Sequence, residues 1–476
     1  MPDDAKFSIQ DFGASFKTFL DQVSAQAPVA EPPFIRRLRG HFGVEAVRLP
    51  IVAEAFPAAD HPNVQMALDA YLAAPGRSAT VAGITAVHEH LGVSLSHLVA
   101  EGGGLFGGQP PDEGPVEYVN IGLEDGRVLA CVQRGVFFID DGNERLVALV
   151  SGPSKMMWRS EIRVEVMAKD RVRAERLLSE LRSIARSRSV YRGHVVSLEQ
   201  DEMRALHVKF HRLAEIARNG IVLPHGLLDR IERSTLRFAA QRERLKRAGR
   251  HMKRGILFHG PPGTGKTLTA MYLAGQMRDR TVLLLTGRAL GLIEPSCAMA
   301  RTLEPSMLIV EDVDLIAEER DRQTPGCTAL LFELLNQMDG LADDADVLFV
   351  LTTNRPDALE PALASRPGRV DEAIEFPLPD AEGRRRLFEL YGEGLTMQLA
   401  KLDGFIHRTE HASPAFIREL LRKAALFAAE DGDPLVVRDR HVDDALHDLV
   451  VHGGELTMSL LGARQGRPAA GRDAPT

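Results

Sequence analysis

Residues Gly260 to Thr267 read GPPGTGKT, directly after the apolar run Gly255-Ile256-Leu257-Phe258. An apolar run ending in a glycine-rich bend that opens a helix specifies a phosphate-binding loop carried by a buried parallel strand. Each residue type has a geometric reason to be there. The glycines let backbone N–H groups turn inward around a phosphate, Lys266 reaches its outer oxygens, and the Thr267 hydroxyl is placed to ligate Mg²⁺ at the helix start. The helix expected from Leu268 to Met277 completes the unit. Gly260, Pro261, Pro262, Gly263, Thr264, Gly265, Lys266, Thr267 and Leu268 are therefore the candidate nucleotide contacts.

The chain has 476 residues, too many for one core, so two or three domains are expected. A net charge of −8 supplies no overall basic field and weighs against a nucleic-acid partner. The three cysteines, Cys131, Cys297 and Cys327, lie far apart without metal-ligand spacing, as suits a reducing compartment. The start from Met1 to Gln22 lacks the order of a secretory signal, and no stretch has the apolar length of a membrane span. These features predict a cytoplasmic protein without a membrane segment.

The expected organisation is a mainly helical region over 1–110, an α+β domain over 116–200, a P-loop subdomain over 201–379, a helical lid over 380–455 and a disordered tail over 456–476. The first boundary rests on the Gly- and Pro-rich stretch from Gly102 to Pro115. Beyond it, Tyr118 to Leu123, Arg127 to Asp140, Glu144 to Ser151 and Glu161 to Met167 carry the β-branched and aromatic residues of an antiparallel sheet, separated by acidic glycine turns. Arg171 to Ser187 has a helical period, and its arginines suit either a binding face or the solvated side of a covering helix. Tyr191 to Leu198 reads as strand and Glu202 to Arg218 as helix. Strand-like runs then recur at Thr281 to Leu285, Met307 to Val310 and Val347 to Thr352, alternating with helical pattern. This predicts a parallel sheet with helices on both faces, a P-loop NTPase α/β fold.

Met307-Leu308-Ile309-Val310 ends in Glu311-Asp312, two acids where a hydrolase needs one carboxylate for the metal and one to activate water. Position assigns Glu311, with Thr267, to the metal and Asp312 to the water. The Asn354 side chain, closing the next strand, can donate and accept at once beside an attacking water. Arg366 and Arg369 flank Pro-Gly and offer guanidinium forks for the γ-phosphate of a neighbouring subunit.

In this order, GPPGTGKT, LIVEDVD, LTTNRPDALEPAL and SRPGRVD resemble the motifs of the AAA ATPase family of hexameric ring motors, over roughly Ile221 to Val451. The resemblance implies ATP and Mg²⁺ as cofactors, a homo-oligomer expected to be a hexamer, and a protein client not identifiable from sequence. It makes Asn354 the first sensor, Arg366 and Arg369 the trans-acting fingers, and Ile221 and Val222 part of the adenine pocket. Ser413-Pro414-Ala415 sits where the family opens its second-sensor helix, with no arginine in that turn. Most members have Asp then Glu where this chain has Glu311 then Asp312. That swap and the RPGRVD stretch also resemble the mitochondrial Rieske-protein translocase branch.

Threading members carry an aromatic pore residue where this chain has Gly287-Arg288-Ala289-Leu290-Gly291-Leu292-Ile293. Leu292 and Ile293 suit a central opening or a core position equally. The function expected is ATP hydrolysis that remodels or translocates a protein client. The alternatives are an ATP-controlled scaffold with slow hydrolysis and a DNA-acting relative that binds through Arg171 to Arg188.

Overall fold

The structure is a computed structural model and describes residues 12–19, 32–85, 93–99, 111–124, 126–154, 160–202, 204–314, 327–340, 345–357 and 370–452. The Gly-rich stretch from 101 to 110, the tail over 456–476, and Arg366 and Arg369 lie outside them. The described residues fall into two compact units, within Met1–Ile121 with Leu129–Ser187 and within Gly122–Val128 with Arg188–Thr476.

The first unit is built on a seven-stranded sheet. Its strands are β1 (Ile51–Pro57), β2 (Ser78–Thr85), β3 (Asp112–Gly114), β4 (Glu117–Gly122), β5 (Val128–Asp140), β6 (Arg145–Ser151) and β7 (Glu161–Met167), in the order β1-β7-β6-β5-β2-β3 with β4 on β5. Helices α1 (Pro33–Phe42), α2 (His61–Leu72) and α3 (Arg171–Ser187) cover it. Strand alternation splits the core in two. Ile139, Leu146, Ala148, Ile162 and Val164 pack with Leu68 and Leu177, whereas Val136, Phe138, Val147 and Leu149 pack with Phe34 and Leu38.

This unit overturns the expected boundary near residue 110. β1 pairs antiparallel with β7, Ile51 opposite Met167, and β2 with β5, Ser78 opposite Asp140. The first hundred residues thus supply strands to the sheet expected to begin after them. Their partners lie far along the chain, so no local pattern reveals the pairing. The arginines of α3 largely serve the covering-helix role. Ala174, Leu177, Leu178 and Leu181 are buried, while Arg171, Arg173 and Arg182 pair with Glu175, Glu144 and Glu54.

The second unit holds another seven-stranded sheet: β8 (Val195–Gln200), β9 (Leu206–His211), β10 (Arg254–His259), β11 (Thr281–Leu285), β12 (Ser306–Val310), β13 (Val347–Thr353) and β14 (Glu372–Glu375). The order is β14-β10-β13-β12-β11-β8-β9, parallel except for β9. Two expectations fail at its edge. β8 belongs to this sheet and not to the domain before it, and the segment read as helix from Glu202 contains β9. Leu206, Val208 and Phe210 alternate with His207 and Lys209, a period of two that marks an edge strand and that the helical reading overlooked.

Between the central strands lie α4 (Leu227–Glu232), α5 (Lys266–Gln276), α6 (Ile293–Thr302) and α7 (Cys327–Asp339). Leu257, Leu283, Leu308 and Phe349 face Ile293, Cys297, Leu334 and Leu335, whereas Ile256, Phe258, Leu284, Ile309 and Val350 face Ile231, Ala270 and Leu273. Ile293 is fully buried and Leu292 nearly so, which assigns both to the core and not to a central opening. A helical subdomain follows: α8 (Ala381–Tyr391), α9 (Leu402–Arg408), α10 (Pro414–Glu430) and α11 (Asp439–His447), with a two-stranded ribbon of β15 (Thr396–Gln398) and β16 (Val436–Arg438). Phe388, Phe405, Phe416, Leu420 and Val442 form its own core. No helix among the described residues is long and apolar enough to cross a membrane.

Candidate nucleotide site

The C-terminal ends of parallel strands are where an open α/β sheet presents ligand sites. Here β10 runs into the glycine-rich bend, which turns at Gly260, Gly263 and Gly265 with φ of +140°, +75° and +97°. A Cβ on Gly260 would lie 2.4 Å from the Phe376 carbonyl oxygen, and one on Gly263 would lie 2.8 Å from Ala415 Cβ and from Ser413 Oγ. The bend is thus wedged between the sheet and the start of α10. Gly265 caps α5, whose first residue is Lys266.

Lys266 is 6% exposed, and its ammonium donates to the carbonyls of Gly260 at 2.9 Å and Pro261 at 2.8 Å. Burial lowers its pKa to about 8, against the opposing charges of Asp312 and Asp314. The side chain is therefore a desolvated cation folded back onto two backbone carbonyls of the bend. Thr264 stiffens the bend by donating to the Pro261 carbonyl at 2.9 Å.

A cleft of about 630 Å³ opens above the bend. Ile221, Val222, Pro262, Gly263, Thr264, Gly265, Lys266, Thr267, Leu268, Asp312 and Asn354 all line it, and Gly260 and Pro261 hold the lysine from behind. Gly220 and Leu223 also line it, as do Leu387 and Tyr391 of α8 and Pro414, Ala415, Arg418, Glu419 and Arg422 of α10. The helical subdomain meets the bend directly, because the Ala415 N–H donates to the Gly263 carbonyl at 3.2 Å.

The two acids after β12 have different surroundings. The nearby Thr267 hydroxyl favours the charged form of Glu311, and the Glu311 Oε1 is buried with no partner among the described residues. An orphaned carboxylate oxygen beside a threonine hydroxyl at a helix start is the donor set a hard divalent cation takes, so these residues fit Mg²⁺. Burial raises the pKa of Glu311, and the adjacent Asp312 adds to that.

Asp312 takes a left-handed backbone, φ +49°, which turns its side chain into the cleft. Its N–H donates to Thr352 Oγ1 at 3.1 Å, and its Oδ1 accepts from Asn354 Nδ2 at 3.1 Å. Burial and the nearby Asp314 raise its pKa, while Lys266 and the Asn354 hydrogen bond pull the other way.

Sequence reasoning missed three parts of this arrangement. Asp314, 5% exposed, accepts from the Thr353 hydroxyl at 2.8 Å and the Asn354 N–H at 3.1 Å, so it ties the acid-bearing loop to the end of β13. Tyr391 joins the wall from α8. Arg418 lies in the cleft although the turn at Ser413-Pro414-Ala415 has no arginine. Ala415, Arg418 and Arg422 are spaced as one helical face, and that spacing was the available signal. Arg422 is held by both oxygens of Glu419, each at 2.7 Å, while Arg418 lies beside Tyr391.

Residues 256–378 match the family described as ATPase family associated with various cellular activities (AAA). The chain is 34% identical over 196 residues to a 26S proteasome regulatory subunit 6B homolog of Dictyostelium discoideum, covering 38% of this chain and 48% of that protein. It is 31% identical over 209 residues to the proteasome-activating nucleotidase of Thermococcus kodakarensis, 41% of this chain and 52% of that one. It is also 34% identical over 200 residues to the ATP-dependent zinc metalloprotease FtsH 2 of Sphaerobacter thermophilus, 40% of this chain and 30% of that one. The chain thus spans about half or less of the length of these relatives.

Proposed function

We propose that this chain, whose residues 256–378 form an AAA ATPase domain, hydrolyses ATP with Mg²⁺ in the cleft above the GPPGTGKT bend and uses the cycle to remodel a protein client. The observation that carries this is the convergence of Lys266, Asp312 and Asn354, from three different strand ends, on one cleft. A site that only bound nucleotide would need the lysine and the amides but not the hydrogen-bonded acid and amide beside them.

In this reading the backbone amides from Gly263 to Thr267 and the Lys266 ammonium hold the β- and γ-phosphates, and Ile221 and Val222 take the base. Thr267 and Glu311 would hold Mg²⁺, which would supply positive charge to the phosphate oxygens. Asp312 orients the attacking water and accepts its proton. Its burial-raised pKa makes it a better proton acceptor than a solvated aspartate. Asn354 fixes the Asp312 rotamer and positions the same water. Arg418 adds positive charge from the lid wall, coupling lid position to the nucleotide state. The AAA resemblance assigns Arg366 and Arg369, which lie outside the described residues, the role of trans-acting fingers for the γ-phosphate of a neighbouring copy.

Relatives named for the proteasome support a protein client, the AAA resemblance supports a homo-hexamer, and the dispersed cysteines suit the reducing cytoplasm. The net charge of −8 speaks against a nucleic-acid client. The Glu311-Asp312 order and RPGRVD support a place near the Rieske-protein translocase branch. The test is phosphate release and equilibrium ATP binding for wild type, Lys266→Ala and Asp312→Asn. Lys266→Ala should lose both and Asp312→Asn only release. Unchanged hydrolysis by either variant overturns the assignment.

A further inference from the structure

The cleft wall formed by Gly220, Ile221, Val222 and Leu223 is a short irregular segment, and a segment of that kind has no ladder to fix its position. It begins in a single 3₁₀ turn, Arg218–Gly220, with the Ile221 N–H returning to the Arg218 carbonyl at 3.2 Å. Ile221 is buried in the core of the second unit, and the turn before it is held by the Arg218 side chain. Its Nε donates to Glu232 Oε1 at 2.8 Å, and one terminal nitrogen donates to Glu232 Oε2 at 3.2 Å and Asp229 Oδ1 at 2.9 Å.

Glu232, at the end of α4, is 8% exposed. Its Oε1 also accepts from the Tyr272 hydroxyl at 2.8 Å. Tyr272 is 4% exposed and lies on α5, the helix that Lys266 opens. One buried carboxylate therefore joins the base-side wall to the helix carrying the phosphate-binding lysine. Burial alone would raise the Glu232 carboxyl, but the hydrogen bonds from Arg218 and Tyr272 and the Arg218 charge outweigh it and hold the group below the ordinary range. A paired fork of this kind is stronger and more directional than a neutral hydrogen bond.

We infer that Arg218 is a positioning residue for the nucleoside half of the nucleotide: through Glu232 and Tyr272 it sets the spacing between the Ile221-Val222 wall and the phosphate-binding helix. The inference rests on the proposed ATP-binding reading of the cleft. Arg218 touches no phosphate in this arrangement, and no part of its effect passes through the hydrolytic groups. Losing it leaves the triphosphate cradle intact and loosens the wall that selects the base. A loosened wall also discriminates less between adenine and guanine, because selection by a pocket depends on the polar and apolar surfaces being held in register.

The experiment compares wild type, Arg218→Ala, Arg218→Lys and Tyr272→Phe in steady-state hydrolysis of ATP and GTP, with inorganic tripolyphosphate binding measured alongside by calorimetry. Arg218→Ala should raise the KM for ATP about tenfold, the effect of losing roughly one charge-assisted pair, with kcat within about twofold. The preference for ATP over GTP should fall, and tripolyphosphate affinity should not change. Tyr272→Phe, which removes one hydroxyl, should move KM the same way by less, and Arg218→Lys should recover part of the loss. A drop in kcat at unchanged KM, or a parallel loss of tripolyphosphate binding, overturns the inference, as does an Arg218→Ala protein with wild-type KM and selectivity. Failure of the wild-type protein to bind ATP overturns instead the reading of the cleft, so the two failures are separable.

Discussion

Asn354 Nδ2 donates to Asp312 Oδ1 across 3.1 Å, joining the end of β13 to the acid that follows β12. The partners are fixed from the other side as well. The Asn354 N–H donates to Asp314 and the Asp312 N–H to Thr352, so the two strand ends form one hydrogen-bonded corner facing the cleft. A short acid in place of the usual glutamate needs such a corner, since it reaches less far and must be aimed by its backbone. The left-handed φ of +49° at Asp312 does that aiming.

Asn354→Ala should therefore act on turnover and spare binding. We expect kcat for ATP to fall about 10²-fold, in the range for losing a positioned partner of a general base, with KM changed by less than about threefold. Single-turnover phosphate release separates this from slow product release. An equal loss in KM would show that Asn354 serves binding.

Much of this corner could be read from the order of residues alone. Lys266, Thr267, Glu311, Asp312 and Asn354 each follow an apolar strand, and a parallel sheet brings the ends of its strands together whatever the loops do. The loop contacts that tune those groups were not legible. Asp314 and Arg418 stand in no strand-end pattern, and their place depends on how a loop turns and on which face a lid helix presents. The first unit was misread for a related reason. β1 and β2 find their partners across long sequence separations, whereas α3 carries its periodicity within one window.

Acidity should shape the rate in two windows. Asp312 must be ionised to accept a proton, and its raised pKa in the nucleotide-free protein places the acid limb of kcat/KM above the ordinary aspartate value of 3.8. On the alkaline side Lys266 loses its charge near pH 8 in the nucleotide-free protein, so kcat/KM should decline there while kcat holds to higher pH, because bound phosphates favour the charged amine. A pH profile of both constants reads the two effects. A basic limb of kcat/KM at the ordinary lysine value of 10.5 would contradict the buried-cation description of the empty cradle.

The same shift has a consequence for stability. With the folded-state pKa of Lys266 at about 8 and the ordinary value at 10.5, the unfolded chain binds more protons between those values. Stability of the nucleotide-free protein contributed by this group therefore rises as pH increases through that window, and below it the buried charge is a net cost. Lys266→Met, which keeps the length and removes the charge, should raise the nucleotide-free Tm near neutral pH by about 1–2 °C, for a gain of about 1 kcal/mol. Added ATP with Mg²⁺ should no longer raise the Tm of this variant, as it should for wild type. A lower nucleotide-free Tm would place the lysine's two carbonyl hydrogen bonds above its desolvation cost.

Gly263 offers a test of how the lid meets the phosphate bend. Its φ of +75° strains any L side chain, and a Cβ there would come to 2.8 Å from both Ala415 Cβ and Ser413 Oγ. Ser413 caps α10, accepting from the Phe416 N–H at 3.2 Å, so the intruding methyl pushes on the one residue that starts the lid helix. Gly263→Ala should lower stability by about 1–3 kcal/mol, combining backbone strain with overpacking, and weaken ATP binding at the same time. Removing the facing methyl in Gly263→Ala/Ala415→Gly relieves one of the two contacts and leaves Ser413 Oγ and the φ in place, so the double variant should recover part of the ATP affinity and little of the stability. If it recovers neither, the contact with Ala415 is not what sets the affinity, and the strain of the bend together with the Ser413 contact accounts for the loss.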